Sequence, residues 1–187
     1  MERRQALKTT ASIAGYTFIF GGLTTTIHAC KSEPDLDWQP VFFTNSEAKL
    51  IVEISERIIP KTDTPGAKDA LVDRFIDENI DKNFTIEQQA MFIKALEVFD
   101  DKAKSSFKMT FVDLTDEQKD TILEELSLEA KNHEGDTPHI FDVIKEMTVF
   151  GFFTSEIGAK ECLVYDPIPS EFIGCIDYSE VNGTWAL

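Results

Sequence analysis

The residues of this chain with chemistry to offer are few in kind: three Cys, three His and 34 Asp or Glu among 187 residues. The cysteines stand at 30, 162 and 175, and the histidines at 28, 133 and 139. A metal centre needs several His or Cys ligands at close spacing. No CxxC occurs here, and His133 and His139 are flanked by loop-type residues, so no metal site is expected. GxGxxG, P-loop, GxSxG and HExxH motifs do not occur either. Carboxylate runs such as Asp113, Asp116 and Glu117, or Glu124 and Glu125, read as solvated helix faces. No catalytic and no cofactor-binding residue is therefore assigned. Asp63 is the one carboxylate in a constrained loop. It could hold a cation or cap the helix starting near Ala67; capping or turn-locking is expected, because Asp and Thr bond readily to nearby backbone.

Cysteine chemistry points instead to export. Ile27-His28-Ala29-Cys30 resembles a bacterial lipobox, in which cleavage before the Cys leaves its thiol linked to diacylglycerol. Arg3-Arg4, followed by Leu7-Lys8, resembles a twin-arginine export signal, with Ala6 where Phe is common. Residues 11–29 carry no charge except a possible one at His28, the layout of a signal peptide. Gly15, Gly21, Gly22 and several Thr make this stretch too weakly apolar for a good permanent span. The expected organisation is a signal peptide over 1–29, a lipidated Cys30 with a tether over 30–43, and a folded domain over 44–187. The expected location is outside the cytoplasm, lipid-anchored to a bacterial membrane on its periplasmic side or at the cell surface. Cys162 and Cys175 then remain as an even pair, and a disulfide between them is expected. The alternative is two buried thiols acting as small hydrophobes.

Charge agrees with this division. The whole chain carries −16. Arg3, Arg4 and Lys8 against Glu2 give the first 29 residues +2, so the remainder carries −18. A body so acidic excludes nucleic acid as the main partner and electrostatic docking on anionic lipid. A chain 42% hydrophobic with 15 Phe is no disordered acidic tail.

The elements that position these residues read as helices. Thr44-Asn45-Ser46-Glu47 is a capping box, followed by Leu50, Ile51, Ile54 and Ile58 at helical spacing. That helix must stop before Pro60. Residues 60–67, Pro-Lys-Thr-Asp-Thr-Pro-Gly-Ala, form an ordered turn-rich loop. A second helical pattern runs from Ala70 to Ile80. Thr85–Gln88 and Thr115–Gln118 are further capping boxes, opening patterns that reach Phe107 and Ala130. Thr137-Pro138 opens a fifth, with Pro at the first helical position and a face of Phe141, Ile144, Met147, Thr148 and Gly151. No segment alternates as a strand would. The expected fold is all-α: a helical bundle of about five to seven helices with an irregular C-terminal segment wrapping a surface. From Phe150 onward aromatics accumulate, among them Phe152, Phe153, Tyr165, Phe172, Tyr178 and Trp185. They either cap the bundle's own core or partly anchor an interface.

Two blocks of this sequence resemble the gluconate 2-dehydrogenase subunit 3 family. One is Ile58-Ile59-Pro60-Lys61-Thr62-Asp63-Thr64-Pro65-Gly66-Ala67 with Val72-Asp73-Arg74-Phe75-Ile76-Asp77. The other includes Gly151, Phe153-Thr154-Ser155, Gly158, Tyr165, Pro169 and Gly174-Cys175. The resemblance implies a non-catalytic small subunit that escorts, stabilises and anchors a large flavoprotein. That partner would be of the glucose–methanol–choline type, hold FAD, and oxidise a sugar, sugar acid or glycoside. The matching segments become candidate interface: Thr62, Asp63, Thr64, Pro65, Gly66, Phe152, Phe153, Tyr165 and Phe172. The alternative from a different class is a stand-alone exported lipoprotein that binds a glycan or other ligand.

Overall fold

The computed structural model describes residues 36–165 and, beyond them, residues 175, 177, 179 and 183–185. Among the described residues there are six α-helices: α1 Asn45–Ile58, α2 Val72–Asn83, α3 Ile86–Phe107, α4 Asp116–Lys131, α5 Ile140–Thr154 and α6 Glu156–Cys162. A 3-10 turn, Phe111–Asp113, lies between α3 and α4. No strand forms among these residues, and their one extended pairing is a parallel bridge between Val164 and Trp185. The expected all-α bundle is what forms.

Three helices begin where the capping boxes place them. Thr44 N donates to Glu47 Oε2 at 2.8 Å while Glu47 N donates to Thr44 Oγ1 at 3.4 Å. Thr85 with Gln88 and Thr115 with Gln118 repeat the exchange. Each box satisfies amides that a helix start leaves without partners. The fifth helix starts later than Pro138 suggested: His139 is the cap, and its Nδ1 accepts from Phe141 N at 3.2 Å. It also runs on to Thr154, so the segment from Phe150 is helix, not tail. Ser155 then caps α6, which the sequence reading did not separate, its Oγ accepting from Gly158 N at 3.0 Å.

α5 is the centre of the bundle and packs against each of the other five helices. Ile51 and Ile54 of α1, Ile76 and Ile80 of α2, Leu96 and Phe99 of α3, Ile122 and Leu126 of α4, and Ile144 of α5 are buried together. Each such side chain contributes about 1.5–3 kcal/mol relative to exposure. Phe99 meets Phe111 edge-on at 5.9 Å, which ties the 3-10 turn into the core. Thr148 is buried among them, and its hydroxyl donates to the Ile144 carbonyl at 2.7 Å, so no polar group is left unsatisfied there.

Two carboxylates pin the frame. Asp77, buried on α2, accepts from the amides of Val41, Phe42 and Phe43 at 2.6, 3.1 and 2.8 Å and holds the chain entering α1. Glu53 on α1 accepts from Lys119 Nζ of α4 at 2.6 Å and from Lys68 Nζ at 2.9 Å. Lys119 is only 5% exposed. Burial alone would raise the Glu53 carboxyl, but the hydrogen bonds and charges of Lys119 and Lys68 outweigh it and hold the group below the ordinary glutamate value.

Candidate functional site

The loop between α1 and α2 is built by carboxylates that gather its amides. Glu56, in the last turns of α1, accepts from Lys61 N through Oε1 at 3.1 Å and from Lys68 N through Oε2 at 2.9 Å. Asp69 accepts from Gly66 N at 3.1 Å and from Lys61 Nζ at 3.0 Å. The Lys61 hydrogen bond and then the Gly66 amide lower the Asp69 carboxyl below the ordinary aspartate range. A Cβ at Gly66 would lie 2.6 Å from Lys61 N and 2.7 Å from Glu56 Oε1. Glycine stands there for close approach, since no positive φ occurs at that position. Pro65, Gly66 and Ala67 are buried, and Thr62, Asp63 and Thr64 form the exposed tip.

After the loop the chain makes one helical turn and stops it abruptly. Val72 N donates to Ala67 O and Leu71 N donates to Lys68 O, both at 3.1 Å, the paired bonds of a Schellman motif. The left-handed position of that motif usually holds Gly. Here it holds Leu71, at φ 55°, nearly half exposed, and α2 starts at the next residue.

From that point α2 lies along α5. Phe75 of α2 meets Phe150 of α5 at 5.9 Å between ring centroids. The two helices line a cleft of about 920 Å³ whose walls include Phe75, Asn79, Met147, Val149 and Phe150, with Asp142, Lys145 and Glu146 on its polar side. A second, smaller groove joins Leu71 to Ser155 and Ile157 at the start of α6. Phe150 is 61% exposed, and Phe153 and Val149 about 40%. A core-facing helix normally turns polar residues outward. α5 buries Ile140, Phe141, Ile144 and Phe152 and still presents three large apolar side chains on its other side. An exposed apolar patch of this kind is a candidate for burial by a partner.

A family model described as gluconate 2-dehydrogenase subunit 3 matches residues 45–169. The chain belongs to that family. No curated protein and no solved structure matches it. The family is one of dehydrogenase subunits, and its match opens on the first residue of α1 and includes every described helix, the loop and the seam.

Within this gluconate 2-dehydrogenase subunit 3 domain the expected interface residues divide. Thr62, Asp63 and Thr64 are exposed at the loop tip, and Phe153 and Tyr165 are exposed beyond it. Pro65 and Gly66 are buried in the loop's foundation and present nothing outward. Phe152 is corrected to a core residue, 2% exposed, because it continues the inward row of Ile144 and Thr148 at four-residue intervals. Asp63 neither caps a helix nor locks the turn; Asp69 and Glu56 accept the loop's amides instead. Leu71, Phe75, Val149 and Phe150 complete the seam and were missed. The signal for Phe150 was available, since it falls on the helix face opposite Thr148.

Cys162 and Cys175 are free thiols, so the expected disulfide is not formed. Cys162, at the end of α6, packs against the bundle core, while Cys175 is exposed. Phe172, Cys30, Arg3 and Arg4 lie outside the described residues. His133 and His139 stand edge-on at 5.7 Å, with His133 Nε2 2.9 Å from the Thr137 carbonyl, as parts of the α4–α5 turn. Among the described residues no group of His, Cys, Asp and Glu is placed to hold a metal ion. No described helix is long and apolar enough to cross a membrane.

Proposed function

We propose that this chain is the non-catalytic small subunit of a membrane-associated dehydrogenase. It escorts, stabilises and anchors a large glucose–methanol–choline-type flavoprotein that oxidises a sugar, sugar acid or glycoside. The observation that carries this reading is the family match over all six described helices. FAD belongs to the partner. Export through the Arg3-Arg4 signal and lipid on Cys30 would place the pair at a bacterial membrane, outside the cytoplasm.

Co-purification tests the reading. The full chain, tagged at its C-terminus and solubilised from membranes of its native host, should bring down a large protein with the visible absorbance of bound flavin. Cys30→Ser should release the complex from the membrane fraction, and Arg3→Lys with Arg4→Lys should stop its export. Pure chain without flavoprotein, together with normal export of the host's flavin dehydrogenases when the gene is deleted, would overturn the subunit role. Calorimetric binding of a sugar by that solitary chain would instead support a stand-alone binding lipoprotein.

A further inference from the structure

We propose that the apolar seam between α2 and α5 is the surface on which the dehydrogenase subunit docks, and that the matching patch on that partner is apolar and rimmed by Lys and Arg. The proposal rests on the small-subunit reading and names the face that serves it.

Three observations converge on the seam. First, α5 is apolar around most of its circumference, yet Val149, Phe150 and Phe153 stay in solvent although this helix is the centre of the bundle. Large aromatics of this kind supply much of the binding energy of protein interfaces when a partner desolvates them. Second, the floor is rigid. Phe75 lies directly against the backbone of Gly151, and α2 is pinned by Asp77 at its other side. A preformed face loses little conformational freedom on binding. Third, the polar edge is acidic. Asp142 and Glu146 face Lys145 alone on the α5 side of the cleft, and Lys145 leans over the Phe141 ring at 6.0 Å.

That charge selects the occupant. A second copy would bring one body of −18 against another, with a single Lys145 to two carboxylates on each edge. An anionic bilayer would be repelled in the same way. A protein patch with apolar side chains at its centre and basic ones around them meets both the aromatics and the acidic edge.

The test uses the full-length tagged chain solubilised from membranes of its native host, with bound flavin per mole of chain as the readout. Phe150→Asp and Phe153→Asp should each retain less than about a tenth of the parent's flavin. Leu128→Asp, an equally exposed apolar residue on α4, should retain all of it. Asp142→Lys combined with Glu146→Lys should lower retention at least threefold. Circular dichroism melting of the purified chains checks the fold, and Val149→Asp serves as the second variant if a Phe variant melts early. Parental flavin retention in the melting-competent Phe variants would overturn the surface. Unchanged retention in the charge-reversed chain would overturn the basic rim. A dimer of the free chain that Phe150→Asp dissociates would assign the seam to a second copy. Absence of flavin from the parent itself is a separate result: it removes the small-subunit reading before any variant is compared.

Discussion

Gly151 and Phe75 are in mutual contact across the α2–α5 seam: a Cβ at 151 would stand 2.6 Å from Phe75 Cδ1 and 3.2 Å from Cγ. The ring occupies the space a side chain would take. Gly151→Ala should therefore push Phe75 and its neighbour Phe150 out of register, at a cost of about 1–3 kcal/mol, the usual range for overpacking. Urea denaturation of parent and variant measures this. In a Phe75→Ala background Gly151→Ala should cost less than it does alone, because the smaller side chain removes the clash.

The same reasoning applies to Gly66 through different neighbours. Its missing Cβ leaves room for the Glu56 carboxylate and the Lys61 amide. Gly66→Ala should cost about 1–3 kcal/mol by displacing both. Glu56→Ala should release the amides of Lys61 and Lys68 and raise hydrogen exchange across residues 60–68, leaving α3 and α4 protected.

Leu71 sits in a backbone conformation that costs an L-residue roughly 1–2 kcal/mol. Leu71→Gly should stabilise the domain by about 0.5–1 kcal/mol, since the flexible unfolded chain takes back part of the gain. Chemical denaturation reads the change. Leu71→Val should do the reverse, because a β-branched side chain tolerates the left-handed region worst.

Glu53 gives the domain an acid limit. Its folded-state carboxyl titrates below the ordinary value of 4.5. Its stabilisation is therefore present above that value and is lost as pH falls through the lower, folded one. Glu53→Gln should cost about 1.5–3 kcal/mol at pH 7, where Lys119 is left buried without its anion. The gap between parent and variant should narrow below pH 4.5 and close at lower pH. Melting curves across that range test the sign as well as the size.

The bundle was legible because its helix starts are written in local chemistry. Thr44, Thr85 and Thr115 each face a Glu or Gln three residues on, and each box closes as drawn. α6 was not separable, since Ser155 both ends one helix and begins the next, and the apolar pattern runs through it. The left-handed turn at Leu71 was invisible for a related reason. Its hydrogen bonds are backbone to backbone, and the residue that usually announces them is glycine.

The candidate site was legible in part. The loop carried a dense local signature, but its inner residues, Pro65 and Gly66, could not be told from its outer ones until Glu56 and Asp69 were seen to draw the amides inward. Phe152 and Phe153 are neighbours with opposite fates, one in the core and one in solvent. A reading that ended the helix at Gly151 had no period with which to separate them. Phe75 is paired with Phe150 across 75 positions of sequence, a relation that only packing reveals.

Asp77 binds three consecutive amides, and this has a mechanical meaning. Any pull along the chain ahead of Val41 reaches one carboxylate that grips Val41, Phe42 and Phe43 together. Bonds loaded side by side share a force that would break them one after another if they were loaded in sequence. The pull is then carried into α2 and, through Phe75, toward α5, before it can unwind α1 from its first turn. A protein held at one end while its other faces carry a load would be strained first at this clamp, and Asp77→Asn should lower the force at which single molecules yield.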